Sequence, residues 1–106
     1  MSGSRTITRD DDRLDNVHPG DILREDYLIG SEIPVKEVAA GTGLDLEELS
    51  AILSGQRSID ANADLRLARY FGISEGFFLG LQIDYDLEEV RRINGPELDK
   101  ISKRAA

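Results

Sequence analysis

Between Pro34 and Arg57 the chain reads PVKEVAAGTGLDLEELSAILSGQR, two apolar-periodic stretches hinged on one glycine, and this pairing limits the fold more than any other feature. Val35, Val38, Ala39 and Thr42 recur at i, i+3, i+4 and i+7, which is one face of a helix of about two turns. Pro34 can open that helix, because a proline in the first turn forfeits no helical hydrogen bond. Gly43 supplies the positive φ that a sharp reversal demands. Leu44 is placed to plug the angle between the two helices. Asp45 followed three residues later by Glu48 is an Asp-led form of the capping box. Leu49, Ile52 and Leu53 make the inward stripe of the second helix, and Gly55 ends it. Two helices joined by three or four residues are a helix-turn-helix, whose second helix offers its first turn to the edges of DNA bases. The same arrangement also serves as plain packing in small all-α domains.

The flanks read as helices too. Asp60 caps a helix expected to turn Ala61, Leu65, Ala68 and Phe71 inward, with Gly72 at its end. Ser74 is expected to cap the next helix. There Phe77, Phe78, Leu79 and Leu81 exceed one narrow stripe and call for cover by another chain or by the tail. Upstream, His18-Pro19-Gly20 starts a first helix with Ile22, Leu23 and Leu28 inward. Leu87 and Val90 share a later helical face, Gly95-Pro96 interrupts, and Leu98 with Ile101 leaves a last turn or two open. Residues 1–17 hold Arg5, Arg9 and Arg13 among Asp10, Asp11, Asp12 and Asp15, with almost nothing apolar, and read as a disordered arm. Such an arm is a bland tail or one that orders on a partner. The expected organisation is therefore an arm (1–17), a helical domain (18–92) and a tail (93–106).

Charge cuts against a simple DNA reader. The chain carries 13 basic and 21 acidic residues for a net charge of −8, and residues 18–92 alone hold 7 basic against 15 acidic. Lysines and arginines drive DNA binding by displacing counterions from phosphates, so Glu47 and Glu48 at the leading turn subtract from it. A polar code is still available: Leu46 can meet a thymine methyl, Glu47 can accept from a cytosine amino group, and Ser50 can bond either way. These three are the expected base contacts, with Lys36, Gln56 and Arg57 on phosphates. Equally, Glu47 and Glu48 can form a solvated face, Glu48 also serving the cap. An acidic surface also suits a basic protein partner.

Enzyme chemistry finds little footing. Cysteine is absent, so neither a disulfide nor a Cys-His site is available. His18, the one imidazole, precedes a proline at a helix start and reads as a capping or surface residue. The run Asp60-Ala61-Asn62-Ala63-Asp64 opens like a calcium loop but places Leu65 at the turn glycine and Phe71 at the bidentate glutamate. Gly41-Thr42-Gly43 lacks the strand and third glycine of a dinucleotide loop. No cofactor and no metal are expected. With no apolar run near the ~18 residues of a membrane span and no signal-peptide core, a soluble cytoplasmic protein is expected.

The segments HPGDILREDYL, AAGTGLDLEELSAILSGQR, ADLRLARYFG and EGFFLGLQIDYDLEEVRR stand in the order and spacing of the HigA-type antitoxins, the virulence-associated protein I or plasmid-maintenance antidote family of Xre-like helix-turn-helix proteins. The chain resembles that family from His18 to Arg92. The resemblance implies an all-α, five-helix, lambda-repressor-like domain, homodimerisation, operator DNA binding that represses its own operon, and neutralisation of an mRNA-cleaving RelE-like toxin. Family members usually present basic or amide residues where this chain has Leu46, Glu47 and Glu48, and Val35 replaces a polar residue. Dimerisation is assigned to the apolar surplus at Phe77, Phe78, Leu81, Tyr85, Leu87 and Val90. The alternative is a helix-turn-helix scaffold that serves as a protein-interaction module without DNA contact.

Overall fold

Three consecutive residues set the first helix. His18 is extended (φ −68°, ψ 138°), its Nδ1 accepts the Gly20 N–H at 2.9 Å, and Pro19 takes the first helical position. The structure, a computed structural model, describes residues 14–105. Within them α1 (Pro19–Ile22) runs directly into a π-helical segment (Leu23–Ile29). The wider turn accounts for a spacing that an α-helix could not use. Leu23 and Leu28 are both buried, yet residues five apart on an α-helix diverge by about 140°. Bonding from residue i to i+5 brings them to one face.

α2 (Val35–Thr42) and α3 (Leu46–Leu53) form the anticipated pair. Gly43 between them has φ 78°, and a Cβ there would lie 2.8 Å from Nη1 of Arg66. That guanidinium donates to the Thr42 carbonyl at 2.9 Å and closes the end of α2. Leu44 is buried as the plug. The capping box does not form: Asp45 has the backbone of a cap but makes no side-chain cap bond. Glu48 turns instead to Arg57, 3.6 Å away, where an opposite charge replaces a backbone N–H as its partner.

α4 (Ala61–Phe71) starts as expected, with Asp60 accepting the Ala63 N–H at 2.9 Å. Its inner face is Ala63, Asp64, Leu67 and Ala68, whereas Ala61 and Leu65 face solvent. An apolar-only stripe misses this because the buried side includes a carboxylate. Asp64 accepts from the N–H groups of Gly76 (2.6 Å) and Leu79 (2.8 Å), and so caps the next helix from a distance. Gly76, not Ser74, is the N-cap of α5 (Phe77–Asp99). Gly95-Pro96 does not end that helix. It kinks at Asn94 (φ −113°, ψ 20°), where Pro96 offers no N–H to the Arg92 carbonyl. The open last turn is thus largely an extension of α5, and the described residues contain five helices.

The core gathers Leu23, Val38, Leu49, Ile52, Ile59, Leu67 and Phe78. Phe78 is 0% exposed, with the Tyr27 ring 5.2 Å away edge-on. Residues 14–17 lie along α5: Asn16 donates to the Tyr85 carbonyl and to Glu89, each at 3.0 Å, and Arg92 donates to the Leu14 carbonyl. The arginines expected in the arm, Arg5, Arg9 and Arg13, fall outside the described residues.

Candidate nucleic-acid interface

α3 is held at its C-terminal end and along its inner side, which leaves one face outward. Leu49, Ile52 and Leu53 are buried anchors. At its C-terminus the Leu53 carbonyl accepts from Arg24 Nη1 at 2.7 Å. Gly20 lets α1 touch the same turn, since a Cβ there would fall 1.8 Å from the Ile52 carbonyl oxygen. Leu46, Glu47 and Ser50 are exposed and line a shallow groove with Ala51, Ser54 and Gln56. The structure thereby gathers the three expected base contacts and one expected phosphate contact on a single surface.

The cations divide by what they already hold. Lys36 is exposed in the first turn of α2. Arg57 is exposed beside Glu48, and its fork of five donors leaves N–H groups for a phosphate while the pair persists. Arg66 is occupied by Thr42 and by Asn62, the latter at 3.0 Å. Arg69 pairs with Glu75 at 2.7 Å. The last two act as internal ties.

His18 packs edge-on to the Tyr85 ring at 4.9 Å as well as capping α1. Burial holds its pKa below the ordinary imidazole value, against the pull of Asp21 and Asp86. Its role here is the cap. Among the described residues no group of three or more His, Cys, Asp or Glu is arranged to hold a metal, and no helix is long and apolar enough to cross a membrane.

The face of α5 remote from the core carries a second surface. Ile83, Leu87 and Val90 stand 50%, 49% and 46% exposed at i, i+4 and i+7. This corrects the expected dimer set. Phe78 is sealed in the core, Leu81 packs against the core, and Tyr85 is half-buried beside His18, so these three are committed within the chain. Phe77, Leu87 and Val90 remain available. Ile83, outside the expected set, shares the exposed face of Leu87 and Val90.

No family model matches the chain. It is 38% identical over 72 residues to the virulence-associated protein I of Dichelobacter nodosus, a match spanning 68% of this chain and 67% of that protein. The chain belongs to the HigA-type antitoxin family. Among solved structures, the Pseudomonas aeruginosa antitoxin HigA with the higBA promoter superposes with a TM-score of 0.80 at 30% identity, covering 86% of this chain and all (100%) of that one. A HigA-family addiction module antidote protein from Coxiella burnetii gives a TM-score of 0.79 at 32% identity, over 87% of this chain and 100% of that one. These relatives are antitoxins and regulators, not enzymes. Family membership accounts for the fold; the leading turn of α3 in this chain carries Leu46, Glu47 and Glu48.

Proposed function

We propose that the chain is the antitoxin of a two-gene module and represses its own operon as a homodimer. In this reading two copies of α3 enter successive major grooves about 34 Å apart. Leu46, Glu47 and Ser50 read base edges, while Lys36, Gln56 and Arg57 hold phosphates. The seam of Ile83, Leu87 and Val90, with Phe77 at its edge, joins the two protomers. The toxin half of the reading is neutralisation of a basic, RelE-like mRNA-cleaving protein, which the net charge of −8 would attract. The observation that carries the reading is the presentation of α3, anchored by three buried residues with its first turn open. The promoter-bound relative from Pseudomonas aeruginosa supports it.

Titration against the chain's own upstream DNA at two salt concentrations tests the repressor half. A specific shift that weakens steeply with salt is expected. Absence of any shift at micromolar protein in low salt would leave the protein-interaction module, which the Glu48–Arg57 pair and the acidic turn favour. Co-expression with a basic neighbouring reading frame tests the toxin half, through rescue of growth and a co-purifying complex.

A further inference from the structure

We propose that Gln82, with Asp64 behind it, is a positioning residue that transmits the geometry of the α5 seam to the DNA-facing loop and so sets the half-site spacing the dimer accepts; this rests on the repressor reading above. Gln82 lies on the inner face of α5 and is 3% exposed. Its Oε1 accepts the Ile59 N–H at 2.8 Å, and its Nε2 donates to Asp86 Oδ1 at 2.9 Å. With both ends engaged, the amide has one orientation. Ile59 is itself buried and stands two residues after Arg57 and three after Gln56. The loop bearing two proposed phosphate contacts is therefore bonded directly to the helix bearing the seam.

Ile83, the next residue along, faces away from the core, so loop and seam are separated by one helix thickness. Asp64 fixes the other end of the joint by holding the first turn of α5 to α4 through Gly76 and Leu79. An apolar residue at either position would fill the core. A buried polar group with all its partners adds a unique arrangement, which is what a spacing rule requires.

The test uses the full chain and a duplex of its own upstream region, footprinted to locate the half-sites, with versions lengthened or shortened by one base pair between them. One base pair moves a half-site by about 3.4 Å and turns it by about 35°, and the wild type is expected to bind the altered duplexes at least about tenfold more weakly. Q82L removes the acceptor for Ile59, and that ratio should fall to about threefold or less while sedimentation still shows a dimer. Q82E sets two carboxylates against each other and should relax the ratio likewise. Q82E/D86N keeps the acceptor for Ile59 and restores a donor–acceptor pair along α5, the donor now lying at position 86, and should return the ratio toward the wild-type value.

A folded Q82L dimer that keeps the wild-type ratio overturns the proposal. Should Q82L fail to fold, equal ratios for Q82E and Q82E/D86N overturn it instead, and a lower ratio for Q82E supports it. Wild-type protein that binds no duplex at either spacing overturns the repressor reading itself, and this inference with it.

Discussion

α3 turns Leu49, Ile52 and Leu53 to the core and α5 turns Phe78 and the bonded amide of Gln82, and their outer faces differ in kind. α3 is eight residues long, pinned by Leu49, Ile52, Leu53 and the Arg24 bond, and it shows Leu46, Glu47 and Ser50 to solvent. α5 is 23 residues long, capped by Asp64 at its start, and it shows Ile83, Leu87 and Val90. A polar outward turn on a rigidly held short helix suits a hydrogen-bonding partner. An apolar stripe at i, i+4 and i+7 on a long helix suits another apolar helix. The two helices therefore offer different chemistry to whatever meets their outer faces.

Loosening α3 from beneath should have the largest effect. Ile52→Ala leaves a cavity in the fully buried centre and should cost about 2–5 kcal/mol of stability in urea unfolding, taking DNA binding with it. A smaller loss would mean that α3 is less firmly anchored than α5. Next comes the outer face of α5: Leu87→Asp should weaken dimerisation about a hundredfold by sedimentation equilibrium. Monomer stability should shift by only about 0.5 kcal/mol, because Leu87 touches little of its own chain. A dimer that survives this change would move the seam elsewhere.

The smallest effect belongs to His18, which sits between the two regions. His18 lies between the loop after α3 and Tyr85 on α5, and burial lowers its pKa. The folded chain thus prefers the neutral ring, and the unfolded chain takes up the proton at higher pH. The contribution is fully present above the free-imidazole value of about 6.5 and is lost as pH falls through the lower folded value. His18→Asn keeps a capping oxygen and should flatten the decline in urea midpoint between about pH 7.5 and 5. An unchanged slope would place the pH dependence on other groups.

Most of the reader was legible in the sequence because its signals are local. Gly43, Leu44 and the Leu49–Ile52–Leu53 stripe depend on neighbours a few residues away, and each stands where periodicity put it. Most of the departures are long-range. Asp64 caps a helix 12 residues on, Arg24 closes α3 from 29 residues before, and Gln82 reaches back 23 residues to Ile59. Nothing in a window of one helix distinguishes these from solvated polar residues. Glu48 has Arg57 as its partner in place of a local cap, and Phe78 faces the core through contacts such as the distant Tyr27 ring. Leu23 and Leu28 are inward as expected, on a π-helical turn that apolar periodicity alone does not distinguish.

An acidic first turn of α3 that nonetheless points at DNA should gain from a reversal of its charge. Glu47→Arg combined with Glu48→Gln is titrated against unrelated duplex DNA across a salt series. The expected outcome is about a tenfold rise in non-specific affinity and a log–log salt slope steeper by about one, as one more phosphate is neutralised. Affinity and slope equal to those of the wild type would mean that this turn faces something other than DNA.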